Sequence, residues 1–344
     1  MTVRPKIAWF TTNQSCNLRC KWCYERGGNF DPHQTLSLNL ALRLLGIIQE
    51  LEIRDLIIIG GEPTLWSHLL EFNGRCRQVG IQTTLVTNAY KFSEDDFWTE
   101  YLKSPNDKVS PSVKAFDEPS MKRLVQVSGV DFIQKGLERL VQKYNCGVSF
   151  VFSSFVKHDM VSLAKFAKSC GAIRISVSPC TPSFSDNGVD PTGMVALKEM
   201  VEIVTSEYPH LHELMEGNIT LSIKTPFCLW PKDFIDTLRK RGQLHSGCQF
   251  QGRSGIIFGP QGELLACNSM AKFPIGELDK DYSDAKSLIS LLNSEEVVRN
   301  YDHINSYPSE KCIGCSQINS CGGGCPLMWT VYDATESIPG WENP

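Results

Sequence analysis

The sequence predicts an α/β protein: a partial (β/α)6 barrel followed by a small cysteine-rich domain. Three observations carry this. Residues 7–180 alternate short apolar segments with amphipathic ones, the pattern of βα units that build a parallel sheet. Past about residue 225 the alternation gives way to glycine, proline and cysteine. Most of the 14 cysteines sit near the two ends of the chain, as metal ligands do, rather than spreading like a disulfide framework. The expected division is a core over 1–224, a bridging segment over 225–247 and a cysteine-rich domain over 248–344.

The expected strands are 7–11, 55–59, 82–86, 108–113, 147–153 and 173–178. Each is a short apolar run, as a strand buried on both faces requires. Between them, 36–51, 93–103, 131–144 and 158–169 place apolar residues at helical spacing. In parallel barrels, chemistry collects at the C-terminal ends of the strands. Cys16, Cys20 and Cys23, at spacing C-x3-C-x2-C, follow the first strand at that end. Gly60-Gly61-Glu62-Pro63 follows the second, and Val86-Thr87-Asn88-Ala89 closes the third. In the fourth, Ser112 and Lys114 alternate onto one face, although Pro111 interrupts regular pairing. Ser153 and Ser154 end the fifth and are as fit to cap the next helix as to reach a ligand. A full eight-unit barrel is the competing architecture, but the periodicity stops after 180.

Soft thiolates at this spacing suit zinc or an Fe–S cluster, and a zinc knuckle is the plainer reading. The triplet resembles the signature of radical S-adenosylmethionine (SAM) enzymes, and Gly60-Gly61-Glu62-Pro63, one βα unit later, resembles that family's GGEP motif. The resemblance implies a [4Fe–4S] cluster on Cys16, Cys20 and Cys23 whose open iron chelates SAM. It implies that Trp22, before the third cysteine, lies against adenine, and that the Gly60–Pro63 turn takes the SAM amino group. Asn88 stands in a segment similar to the family's TNG, and Ser112 and Lys114 would reach ribose and carboxylate.

The C-terminal cysteines form a second array: Cys248, then Gly262 and Cys267, then Cys312-x2-Cys315-x5-Cys321-x3-Cys325. Ile256-Ile257-Phe258 and Glu263-Leu264-Leu265 read as a hairpin that brings Cys248 and Cys267 together. A zinc ribbon is the simpler reading. The composite resembles the SPASM extension of radical SAM enzymes, which implies one or two auxiliary [4Fe–4S] clusters. By that pattern Cys248, Cys267 and Cys325 share one cluster and Cys312, Cys315 and Cys321 the other. The seventh cysteine of the pattern is missing after Cys325. Cys228 is a candidate to complete the first set, and Asp333 or Glu342 to complete the second. Cys76, Cys146, Cys170 and Cys180 read as core filler, with a cavity-facing position the alternative for Cys180, which ends the sixth strand.

The function this resemblance implies is an oxidoreductase that generates a 5′-deoxyadenosyl radical to modify a ribosomally made peptide, by a thioether or carbon–carbon cross-link. An external donor such as flavodoxin or ferredoxin would supply the electron. The first strand starts near Ile7, so the peptide is expected to need a separate recognition protein or direct docking. Oxidation of a small molecule is the alternative within this chemistry; a non-catalytic metal-binding or electron-carrying protein is the alternative outside it. No side chain stands out as a general acid or base, and none of the 7 histidines is assigned a role. A formal net charge of −4 argues against a nucleic-acid partner, and no apolar run is long enough to span a membrane. With no signal-peptide pattern at the start, a cytoplasmic location is expected.

Overall fold

The computed structural model describes residues 3–27, 31–185, 187–305 and 310–337. Its first half runs β1 (Ile7–Thr11), α1 (Leu38–Glu50), β2 (Asp55–Ile59), α2 (Leu69–Gln78), β3 (Gln82–Thr87), α3 (Asp95–Tyr101) and β4 (Lys108–Pro111). A short turn α4 (Glu118–Ser120) precedes α5 (Val130–Tyr144), β5 (Val148–Phe152), α6 (Met160–Ser169) and β6 (Ile175–Pro179). The helices form for visible reasons. Ser37 caps α1 by accepting from the Leu40 N–H, and Ala41, Leu44, Leu45 and Ile48 turn one apolar stripe inward. In α5 the same spacing buries Ile133, Leu137, Leu140 and Val141.

The strands pair in parallel. One sheet has the order β1-β2-β3-β4, with Ile7 opposite Asp55 and Thr11 opposite Ile59 in its first pair. A second begins β5-β6. The two meet where Ser112 bridges Ser149 and the Val113 N–H donates to the Ser149 carbonyl at 2.8 Å, so the sheets curl into one open barrel. The six strands expected from the sequence are all present. The fourth ends at Pro111 instead of 113, because proline brings no N–H to the ladder.

The alternation does not stop at 180. After a small hairpin, β7 (Ser183–Ser185) with β8 (Gly188–Asp190), come α7 (Leu197–Leu214), β9 (Ile219–Ser222), α8 (Lys232–Lys240) and β10 (Leu244–His245). Strand β9 adds in parallel to β6, and β10 to β9. Strands of four and two residues are too short to declare a period, and α7 carries Pro209 within it. His210 and His212 lie inside α7.

The expected hairpin forms from β11 (Gly255–Phe258) and β12 (Glu263–Leu265), and β13 (Gly276–Glu277) extends it. Strand β11 also pairs in parallel with β1, Ile7 opposite Gly255 and Phe10 opposite Phe258. The cysteine-rich half is thus hydrogen-bonded to the edge of the barrel sheet. Helices α9 (Ala285–Leu292) and α10 (Glu295–Asn305) cover the hairpin, with Phe250, Val297 and Tyr301 as a local core. Among the described residues no helix is long and apolar enough to cross a membrane.

Candidate functional site

The cysteine loop leaves the C-terminal end of β1 and is held from two sides. From one, the Gly61 N–H donates to the Asn13 carbonyl (2.7 Å) and the Glu62 N–H to the Ser15 carbonyl (2.8 Å). A side chain on Gly61 would meet the Gln14 and Ser15 carbonyl oxygens at 2.3 Å, and one on Gly60 would meet the Asn13 carbonyl at 2.6 Å. Both positions require glycine because two backbones touch there. From the other side, the Arg19 N–H donates to the Val125 carbonyl and the Lys21 N–H to the Leu124 carbonyl. The sequence alone suggests that the glycines admit a ligand; the structure has them admit the chain that leads into Cys16.

Glu62 is 1% exposed and its carboxylate accepts from the Thr64 N–H and hydroxyl, the Thr87 hydroxyl and the Asn88 N–H. It ties the end of β2 to the end of β3. Burial raises its pKa, and those four donors pull against that. The Asn88 amide donates to Asn17 Oδ1 at 2.7 Å and faces Cys16 Sγ at 3.8 Å. Pro63 starts the helical turn after Glu62 and is buried. Trp22 stacks on Phe155 with 6.3 Å between ring centroids. Ser112 and Lys114 are brought together, Lys114 Nζ donating to Ser112 Oγ at 2.6 Å. Ser153 Oγ is buried with no hydrogen-bond partner among the described residues.

The three loop thiols are close enough to feel one another. Burial pushes the Cys16 thiol up to about 12, the Leu18 N–H to its sulfur lowers it, and Glu62, Cys20 and Cys23 raise it again. A thiol in that setting stays neutral unless a cation pays for its charge, which an iron cluster or zinc would do. Among the described residues no three His, Cys, Asp or Glu side chains converge closely enough for a single ion. A cluster asks less convergence, since each of its irons takes one thiolate. The donor set therefore fits a cluster better than a zinc knuckle.

The C-terminal cysteines divide in space. Cys267 and Cys325 feel each other and Cys248. Cys228 has Cys321, Cys312 and Cys315 in electrostatic range, which groups it with this set. Asp333 is exposed, and Glu342 lies outside the described residues. Gly322, Gly323 and Gly324 all have positive φ (59°, 72° and 81°), a wrap that side chains resist.

Three further residues interact electrostatically with these cysteines: Tyr24 and Lys224, which sequence reasoning passed over, and Cys180. Burial pushes the Tyr24 phenol up, and Glu25, Cys23, Cys267 and Cys16 add to it, so this ring stands among cysteines of both arrays. Cys180 is buried in the main core, as expected, beside Trp22 and with Cys23, Lys114 and Lys224 in electrostatic range. Lys224 lowers the thiol pKa of Cys180, Cys267 and Cys325, each raised chiefly by burial. Only Cys180 gave a signal in the sequence, through its place at the end of the sixth strand. A cavity of ≈ 180 Å³ opens beside the loop, lined by Trp22, Cys23, Tyr24, Thr181, Asp190 and Thr192 among others.

The sequence pattern of the radical SAM superfamily matches residues 11–167. That stretch is a radical SAM domain. Curated relatives match over about half of the chain: a probable GTP 3′,8-cyclase of Thermococcus kodakarensis is 28% identical over 163 residues, 46% of this chain and 52% of that protein. One of the same name from Pyrococcus abyssi is 27% identical over 165 residues, again 46% and 52%. The chain thus spans about half the length of these relatives. Solved structures match beyond the radical SAM domain. Streptococcus suis SuiB bound to S-adenosylmethionine aligns over 94% of this chain and 73% of its own, with TM-score 0.66 and 18% identity. The anSMEcpe structure with bound AdoMet and Kp18Cys peptide aligns over 93% and 89%, with TM-score 0.67 and 16% identity. These likenesses extend the shared fold into the cysteine-rich half.

Proposed function

We propose that this protein is a radical SAM enzyme that oxidatively modifies a peptide. Cys16, Cys20 and Cys23 would hold the SAM-binding [4Fe–4S] cluster. Cys248, Cys267 and Cys325, with Cys312, Cys315 and Cys321, would hold auxiliary clusters in a SPASM-type domain. When bound, the cluster and SAM supply a 5′-deoxyadenosyl radical that takes a hydrogen atom from the substrate. The chain's own residues do the positioning. The Gly60–Glu62 backbone fixes the cysteine loop, Glu62 fixes the neighbouring turn, and Asn88 presents its amide to Cys16. Trp22, Lys114 and Ser112, with Gly60, Gly61, Glu62 and Pro63 in the turn, are the residues proposed to surround SAM. Ser153, a buried hydroxyl with no partner among the described residues, would be a further contact for a ligand group.

The observation that carries the reading is Tyr24, which has Cys16 and Cys23 of one array and Cys267 of the other in electrostatic range. A site flanked by two cysteine arrays suits an oxidation, because the electron left on the substrate has an acceptor nearby. SuiB has been solved with the precursor peptide SuiA and anSMEcpe with a peptide, which supports a peptide substrate here. A separate recognition protein and a flavodoxin- or ferredoxin-type donor complete the proposal. The names of the curated relatives favour a second reading, a nucleotide-sized substrate, but their match is confined to half the chain.

The test is anaerobic co-expression with candidate precursor peptides. Loss of two hydrogens from a peptide, absent with Cys16→Ala, is the expected result. Reconstituted, reduced protein with intact clusters that releases no 5′-deoxyadenosine would sink the SAM chemistry. Release without any change in peptide mass would favour the small-molecule reading.

A further inference from the structure

The segment leaving β9 runs against the glycine-rich turn. The Cys325 N–H donates to the Lys224 carbonyl at 2.6 Å. The Phe227 N–H points at Cys321 Sγ, 3.4 Å away. A side chain on Gly324 would strike the Lys224 carbonyl oxygen at 2.8 Å and Pro226 Cδ at 3.0 Å. The Arg239 guanidinium, from α8, lies 4.9 Å from the Phe227 ring centre and donates to Gln317 Oε1 at 2.5 Å. The turn Phe227–Leu229 is therefore clamped to the Cys315–Cys321 stretch on both flanks. Cys228 sits in that turn, half-buried, with Cys321, Cys312 and Cys315 in electrostatic range.

We propose that Cys228 is the fourth thiolate of the centre formed by Cys312, Cys315 and Cys321, delivered from the turn ahead of α8. The proposal rests on the reading that those three cysteines hold a cluster. The chemistry favours this choice. A four-iron cluster presents one coordination site per iron to the protein, and soft thiolate outcompetes an exposed carboxylate such as Asp333. Binding takes the thiol proton and changes no oxidation state. The ligand then comes from the strand-and-helix half of the chain, so the centre would tie α8 to the glycine-rich turn. The fourth thiolate would then come from a residue 84 positions before Cys312 (312 minus 228).

The test uses the full chain with Cys16, Cys20 and Cys23 all changed to Ala, so that only the C-terminal centres report. After anaerobic reconstitution with iron and sulfide, metal content and the EPR spectrum of the reduced protein are measured. In this background Cys228→Ala should lose between about one iron and one whole cluster of about four, and its spectrum should change. Cys228→Ser should keep more iron than Cys228→Ala with a shifted spectrum, and this variant decides the matter where Cys228→Ala fails to fold. Cys170→Ala, from the end of α6, should match the background. Wild-type iron content and spectrum in both Cys228 variants would overturn the proposal. So would a background that binds zinc or no metal. Wild-type protein that holds iron yet releases no 5′-deoxyadenosine would sink the SAM reading, while the Cys228 spectra would still decide this one.

Discussion

Gly61→Ala tests whether the glycine pair serves the cysteine loop. The added methyl would lie 2.3 Å from two backbone oxygens, those of Gln14 and Ser15. Reaching even 3.0 Å requires a shift of 0.7 Å (3.0 minus 2.3), and no flexible side chain is there to yield. Overpacking of this kind costs about 1–3 kcal/mol. The same shift strains the Gly61–Asn13 and Glu62–Ser15 hydrogen bonds, each worth about 1 kcal/mol net. Chemical denaturation should therefore show a loss of about 3–5 kcal/mol. The loop entering Cys16 would move by a good part of an ångström, and a 1 Å misplacement can cost about a hundredfold in rate. SAM cleavage should fall on that scale in the protein that remains folded. Gly46→Ala is the control: nothing lies within 4 Å of its Cβ position inside α1, so helix propensity should add about 0.5–1 kcal/mol. A Gly61→Ala protein as stable and active as wild type would refute the reasoning, because it would mean the two backbones do not touch.

Three further outcomes follow from the same geometry. Arg139, then Lys135, hold the Asp95 carboxyl down to about 2, so its stabilisation is present above the ordinary 3.8 and is lost as pH falls toward about 2. Asp95→Asn should flatten the stability curve over that window, and about 1 M salt should erase the difference because the pair is exposed; unfolding measured at both ends of the window decides it. Cys76→Ala, in the fully buried face of α2, should cost roughly 1–2 kcal/mol and no iron, whereas Cys16→Ala should lose the N-terminal cluster; iron analysis beside a denaturation curve separates filler from ligand. Lys224→Met removes a positive charge from beside Cys267 and Cys325, so the reduction potential of a centre there should fall, and an unchanged potential by voltammetry would mean that Lys224 does not face it.

What the sequence disclosed and what it withheld divide along physical lines. The first six strands were legible because each is an apolar run bounded by turns, and the hairpin at 255–265 because Gly259-Pro260-Gln261-Gly262 announces it. Strands β9 and β10 were not, since four and two residues carry no period. The pairing of β11 with β1 was also hidden, because parallel pairing between residues about 248 apart (255 minus 7) leaves no local mark. That pairing joins the cysteine-rich half to the barrel sheet, and Cys267 comes within electrostatic range of Tyr24.

The glycines show how a motif read as ligand-binding can carry a different first task. Gly60 and Gly61 stand where a ligand-binding turn is expected, yet their lack of side chains is used up by the chain at 13–15. Glu62 likewise spends its carboxylate on four protein donors. The turn is best understood as a brace that sets the height of Cys16 above the sheet. Any contact it makes with SAM would then depend on backbone atoms the brace leaves in place. On this argument a conservative change such as Glu62→Gln should disturb the cysteine loop before it disturbs affinity. Iron retention in that variant should fall in step with its stability, and a drop in SAM affinity alone, with iron and stability intact, would show that the carboxylate's first task is the ligand after all.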